Sequence, residues 1–411
     1  MRLLYSIGIA FAGIIIKIIA LFNSKLKLGV LGRKETFRKL KNSINQEDKT
    51  FWFHCASLGE YEQGLPVFEA LKSKYPNYKV VISFFSPSGY EIRKNTKIAD
   101  VVVYLPLDTK NNAKRFLNIV NPDFIVFVKY EIWPNFLFEI KKRNLNAILI
   151  SAVFREKHSF FKWYGKIMRL ALFAFNHIFV QDESSKSLLE SIDYNNVTLS
   201  GDTRFDRVTN QLSIDNAIPF IESFKNNKTC VVFGSTWPDD DELFLDYINS
   251  CKNDDVKYII APHNIKPSYA ENIKSSLKVN TLRFSEMKDE ELSTYKVFIL
   301  DTIGYLSKVY SYADIVYIGG AAGTTGLHNI LEPAVFGVPI IIGKNYSKFP
   351  EALKLISLNG VTTVKNKIEF SEKLEDLIKH PEKIQLQGDI NKNFVADNKG
   401  AVGKVLNYIK L

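Results

Sequence analysis

Short runs of consecutive apolar residues, rich in β-branched types, recur along this chain at 50–55, 79–85, 101–105, 124–128, 147–151, 177–180 and 197–200. Segments with helical spacing lie between them, among them 61–74, 133–143 and 184–192. A strand that is apolar throughout must be covered on both faces, so the alternation predicts parallel sheet with helices on each side. The pattern breaks at 209–228, which is rich in Asn, Asp and Ser and contains Pro219. It resumes at 229–233, 258–261, 297–300, 315–318 and 339–342. The chain therefore reads as an α/β protein with two Rossmann-like domains, and its 411 residues exceed the size at which one core keeps growing. The expected boundaries are an N-terminal helix at 1–24, a first domain at 25–208, a linker at 209–228 and a second domain at 229–390. A last helical segment at 391–411 is free to cross back to the first domain.

Ligands of open α/β sheets bind beyond the carboxyl ends of the strands. Each half of the chain has one turn at such a place. The run Phe51 to Ala56 ends at Ser57-Leu58-Gly59-Glu60, and the run Asp314 to Ile318 ends at the glycine-rich Gly319 to Gly326, followed by His328-Asn329-Ile330-Leu331-Glu332-Pro333. One site per half is the plan of a two-domain transferase holding two substrates. Ser57/Glu60 and Asn329/Glu332 also fit capping boxes, in which polar side chains satisfy backbone N–H groups at a helix start. Each alone reads as a cap; their equivalent strand-exit positions raise the functional reading.

Composition narrows the partners. Basic residues number 54 against 44 acidic, a net charge of +10, which calls for an anionic partner. Nucleic acid is the weaker choice, because no helix-turn-helix, zinc-finger or RNA-binding signature is legible. Residues 3–22 are almost wholly apolar, interrupted by Lys17, and a membrane-spanning helix needs roughly 20 such residues. No small-residue cleavage site of a secretory signal precedes Asn23. Lys25, Lys27, Arg33, Lys34, Arg38 and Lys39 follow against Arg2 alone in front, which places the body on the cytoplasmic side of a membrane. With Lys17 able to snorkel, the helix either spans the bilayer or lies in its interface. The scattered Cys55, Cys230 and Cys251 fit a reducing compartment.

No GxGxxG opens the first domain and no GxxxxGK[ST] occurs, which removes a nicotinamide dehydrogenase and a P-loop phosphotransferase. Asp239-Asp240-Asp241-Glu242 follows Pro238 and reads as a solvated helix start favoured by the dipole, and the dispersed histidines imply no metal. The Gly319–Gly326 run, with Gly320 inside it, lets a ligand approach the backbone ahead of a helix start that favours an anion. Ser235 and Thr236 occupy a similar strand exit. Arg204, in Gly201-Asp202-Thr203-Arg204-Phe205-Asp206, is placed either to stabilise charge on a departing phosphate or to pair with Asp202 or Asp206. Glu131, ahead of Trp133-Pro134, either perturbs Glu60 as a second carboxylate or caps the next helix.

These motifs, in this order and spacing, resemble the 3-deoxy-D-manno-octulosonic acid (Kdo) transferases of lipopolysaccharide synthesis. The resemblance rests on Ser57-Leu58-Gly59-Glu60, Tyr130-Glu131-Ile132-Trp133-Pro134-Asn135, Gly201 to Asp206, and His328 to Pro333. It implies a GT-B fold, with two Rossmann-like domains facing across a cleft, and an inverting, metal-independent transfer of Kdo from CMP-Kdo to the lipid A precursor lipid IVA. CMP-Kdo is then a substrate and no cofactor is needed. It further implies Glu60 as the general base, Glu131 and Arg204 as transition-state stabilisers, and Pro262, His263, Ile303, Gly304, Tyr305 and Asn329 to Glu332 around CMP. The implied location is the cytoplasmic face of the inner membrane. The chain departs from the family at Pro262-His263-Asn264, where Pro-Arg-His is usual, at Tyr305 in place of a glutamate, and at Lys129 in place of an acid. Two rival readings keep most of these residues: a UDP-sugar transferase or epimerase, and an inactive, membrane-tethered glycolipid-binding protein.

Overall fold

Strand β1 (Thr50–Cys55) is buried at all six positions, with Phe51, Phe53 and Cys55 in one apolar cluster and Trp52 in another. That two-sided burial is what a continuous apolar run produces in the middle of a parallel sheet. The computed structural model describes residues 2–410, which divide into two units, 2–207 with 399–410 and 208–398. In the first unit β2 (Lys79–Phe84), β3 (Val101–Tyr104), β4 (Phe124–Val128), β5 (Asn146–Ala152), β6 (His177–Val180) and β7 (Val197–Leu199) join β1 in the order β3-β2-β1-β4-β5-β6-β7. Every pairing is parallel, with Phe53 in register with Ile82 on one side and Val126 on the other.

The second unit repeats the plan. Its strands are β8 (Thr229–Thr236), β9 (Val256–Pro262), β10 (Thr281–Arg283), β11 (Val297–Ile299), β12 (Ile315–Ile318), β13 (Ile340–Ile342) and β14 (Val361–Thr363). Their order is β10-β11-β9-β8-β12-β13-β14, again parallel throughout. The first sheet switches direction at β1/β4 and the second at β8/β12, with β10 set outside β11 at its edge, and such switch points are where these sheets bind ligands.

The boundaries differ from the sequence expectation in two places. The stretch expected as a linker, 209–228, belongs to the second unit: Ile218, Ile221 and Phe224 are buried, and Ile218 N donates to the Tyr312 hydroxyl at 2.6 Å. Its polar composition reflects exposed positions around three buried anchors. The segment expected as a single helix at 391–411 is two. Helix Pro381–Asn398 stays in the second unit, where buried Asn391 donates to the carbonyls of Val338 and Gly360. Gly400, at φ +108, then turns the chain into helix Ala401–Tyr408. Asp206 accepts from the amides of Gly400 and Ala401 at 2.9 and 3.0 Å, and Val405 and Ile409 enter the first unit's core.

Ahead of the first sheet run α1 (Arg2–Ile19) and α2 (Ser24–Ser43). Helix α1 is long and apolar enough to cross a membrane. Leu3, Leu4, Phe11 and Ile18 are all more than half exposed. Its other face is tied to the first unit: the Tyr5 hydroxyl donates to Asp108 at 2.8 Å, Ser6 meets Asn135, and a Cβ on Gly13 would collide with Leu107.

Candidate active site

Glu60 lies in the first turn of α3 (Leu58–Lys74), directly beyond β1, and Glu131 lies just beyond β4. Because β1 and β4 are neighbours at the switch point, residues 71 positions apart in sequence meet at one strand-exit edge. Both carboxylates are largely buried. Burial pushes the Glu60 carboxyl above its ordinary range and the charge of Glu131 pushes it further, opposed by the Ser57 amide, His54 and Lys129. Glu60 accepts from Ser57 N at 2.9 Å, which supplies the carboxylate half of the expected capping box. Lys129, in the left-handed region at φ +69, is one of the charges that hold Glu60 toward its ionised form.

Beneath this pair sits a network that sequence reasoning missed. His54 has no exposure, and its Nδ1 lies 2.9 Å from Ser83 Oγ and 3.1 Å from Ser83 O. Trp133 Nε1 lies 3.0 Å from both His54 Nε2 and Glu131 Oε2. A histidine inside a fully buried strand must find partners, and that signal was available in the run Phe51 to Cys55.

Arg204 opens helix Thr203–Asn210 and pairs through Nε with Asp202 at 2.7 Å. Asp202 also caps the Arg204 amide and receives the Gln63 side chain, one turn beyond Glu60 on α3. The ion-pair alternative is therefore realised in the structure, on an aspartate linked to the Glu60 helix.

In the second unit, the sequence-derived donor residues collect at the carboxyl ends of neighbouring strands β11, β9, β8 and β12. Ser235 takes φ +56 where β8 bulges, and Thr236 O accepts from His263 N at 3.0 Å beyond β9. Trp237, also missed, stacks on the His263 ring at 4.6 Å and donates Nε1 to His328 Nε2 at 3.0 Å. Burial, then the neighbouring His263, pulls His328 down to about 4. Tyr305 packs on Phe220 and Phe284, while Ile303 is 81% exposed and Gly304 takes φ +96. Asn329 donates to Glu332 at 3.2 Å and accepts from the Leu331 amide.

Three expectations need correction here. Asp240 and Asp241 are buried, not solvated. Asp240 accepts from Trp237 N, the Tyr317 hydroxyl, Gly320 N and Ala322 N at 2.9, 2.7, 2.7 and 3.3 Å. The amides of Gly320 and Ala322 are thus already engaged, so the glycine run is a braced loop, not a row of amides open to an anion. Gly319 and Gly320 are required there: a Cβ would stand 2.4 Å from Ser235 O and 2.1 Å from Gly326 O. The helix that follows, Leu331–Ala334, is a single turn, so its dipole adds little. Ile330 and Leu331 are fully buried, backbone included, so neither presents a surface to a ligand here.

The fold defines the class: two parallel Rossmann-like sheets, the GT-B architecture. Solved structures similar to the chain include the UDP-GlcNAc 2-epimerase of Neisseria meningitidis (TM-score 0.61, 17% identity, 87% of this chain and 98% of that one). A glycosyltransferase of Rickettsia africae is also similar (TM-score 0.57, 15% identity, 88% and 97%). At these identities they bear on the fold alone. Residues 32–207 match the family model described as 3-deoxy-D-manno-octulosonic-acid transferase (kdotransferase). The chain is 27% identical to the 3-deoxy-D-manno-octulosonic acid transferase of Haemophilus influenzae over 374 residues, covering 87% of this chain and 86% of that one. It is 28% identical to the Rickettsia bellii protein of the same description over 362 residues, 84% of each. The family model thus matches most of the first unit, and the relatives that resemble this chain over most of its length bear out the resemblance read from the four motifs.

Proposed function

We propose that this chain is an inverting glycosyltransferase that moves Kdo from CMP-Kdo to lipid IVA at the cytoplasmic face of the inner membrane. The observation that carries the reading is Glu60: a largely buried carboxyl, held above its usual range at a switch-point strand exit inside the family-matched domain. A general base needs a raised affinity for the proton it removes, here from the acceptor sugar hydroxyl. In this reading Glu60 takes that proton while Glu131, oriented by Trp133, and Arg204, oriented by Asp202, offset the charge that develops at transfer. No metal is assigned a role. His263, Trp237 and the Asp240-braced loop form the donor side for CMP.

The exposed apolar face of α1, followed by the basic residues of α2, supports membrane attachment. Because the opposite face is tied to the first unit from Tyr5 to Gly13, the reading favours a helix lying in the interface over one that spans. The test is incubation of the purified protein with CMP-Kdo generated in situ and lipid IVA, followed by mass spectrometry of the lipid. Added Kdo supports the reading; an unmodified lipid under conditions where a known Kdo transferase works contradicts it.

A further inference from the structure

A cavity of about 150 Å³ opens where α1 and α2 meet the end of β2. Ile16, Leu26, Phe85 and Pro87 supply apolar wall, and Lys25 and Arg33 supply positive charge. Lys25, Gly29 and Arg33 fall on one face of α2 at four-residue spacing. Gly29 keeps the space open, since a Cβ there would stand 2.9 Å from Arg33 Nη1 and 3.5 Å from Pro87 Cγ.

Arg33 is the unusual group. Its guanidinium donates to the carbonyls of Leu105, Gly29 and Phe85 at 3.0, 3.1 and 2.6 Å and lies 4.6 Å from the Phe85 ring centre. Among the described residues, no carboxylate lies within ion-pair distance of it. A half-buried cation without a counter-charge is unfavourable, and burial accordingly pulls Arg33 down to about 10. An anion entering the cavity would relieve that cost.

The cavity also connects two features already described. Its Phe85-Ser86 wall is joined to the turn that leads to Glu60: Phe85 N donates to Cys55 O at 3.3 Å, Ser86 N donates to Ala56 O at 2.7 Å, and Phe85 lies 4.6 Å from the Trp133 ring. On its other side Ile16 belongs to α1, whose Ile14, Ile15, Ile18 and Ile19 are exposed. A molecule with a phosphate, a sugar and an acyl chain spans that arrangement from polar end to apolar end.

We propose that this cavity seats a phosphate of an acylated, phosphorylated sugar lipid. Arg33 and Lys25 meet the phosphate, and Ile16, Leu26 and Phe85 meet the start of an acyl chain. The inference rests on the transferase reading above and locates the acceptor's phosphate within it. The test uses the full chain in detergent micelles, titrated with lipid IVA and with the same lipid after phosphatase treatment. Wild type binds the phosphorylated lipid more tightly. Arg33→Gln weakens that lipid by about tenfold and leaves the dephosphorylated one unchanged, while the KM for CMP-Kdo does not move. Leu26→Trp, which fills the cavity and keeps Arg33, weakens both lipids. Inorganic phosphate at the same concentration displaces neither. A folded Arg33→Gln protein that binds both lipids like wild type, or weakens both equally, overturns the proposal, as does a Leu26→Trp protein that binds both normally. Binding that depends on Arg33 without any sugar transfer would keep the cavity and remove the transferase reading. Transfer whose acceptor KM ignores Arg33 would do the reverse.

Discussion

Glu131 Oε2 lies 3.4 Å from Nε2 of His54, at the exit of the neighbouring strand. Trp133 Nε1 can only donate, and it stands 3.0 Å from both atoms. The indole N–H thus bridges the buried imidazole and the carboxylate.

Trp133→Phe removes the indole N–H and keeps an aromatic ring beside Phe85. Stability should fall by about 1–3 kcal/mol, because buried His54 Nε2 loses its donor. Turnover should fall by about tenfold with little change in either KM, since Glu131 is no longer held. Urea denaturation and steady-state kinetics together check both parts. Normal turnover would leave the indole a purely structural role.

Glu60 sets a pH dependence of stability. Its carboxyl is raised in the folded protein, so the stability it contributes is fully present below the unfolded value of about 4.3 and is lost as pH rises through the folded one. Glu60→Gln removes this charge and keeps an acceptor for Ser57 N. The melting temperature of the variant relative to wild type should rise between pH 4 and pH 8. A relative fall over that range would show that the ionised carboxylate stabilises the fold as a helix cap.

Asp240 braces the glycine loop by accepting four hydrogens from three segments. Asp240→Asn leaves one acceptor oxygen and sets an amide against the loop. Stability should fall by about 1–3 kcal/mol. The KM for CMP-Kdo should rise about tenfold, with kcat within a few-fold of wild type. Faster amide exchange at Gly320 and Ala322 reports the loosened loop directly; unchanged exchange would contradict the bracing role.

Helix α1 in the interface predicts an accessible N-terminal end. In sealed inner-membrane vesicles, Arg2→Cys, at the helix end, should react with a membrane-impermeant maleimide from the cytoplasmic side. Labelling only from the opposite side would mean that α1 spans the bilayer and that its contacts with Asp108 and Leu107 are broken in the membrane.

Much of this was legible in the sequence, for physical reasons that also explain the misses. β1 and β4 announced themselves because two-sided burial demands unbroken apolar runs. β10 and β14 did not, being three-residue strands with polar, half-buried positions such as Thr281 and Thr362. The strand-exit positions of Glu60, Glu131 and the glycine run were legible because each follows an unbroken apolar strand. Asp240 was misjudged because an acid after a proline at a helix start is usually solvated, and only tertiary contact with Tyr317 and Gly320 makes it a buried hub. His54 was passed over inside an apolar run and Trp133 was given no role within its motif, although a buried imidazole demands a partner and the indole N–H supplies it. The linker at 209–228 looked polar because its three anchors are spaced among Asn and Ser.

The most direct measurement is the rate of Kdo transfer by Glu60→Gln, against pH and beside wild type. The wild-type rate should rise with pH through a value above the ordinary carboxylate range to a plateau, where the variant is slower by roughly 10²–10⁴-fold while remaining folded, and the gap should close as pH falls. A folded variant that transfers Kdo within a few-fold of wild type would contradict the assignment of Glu60 as the base.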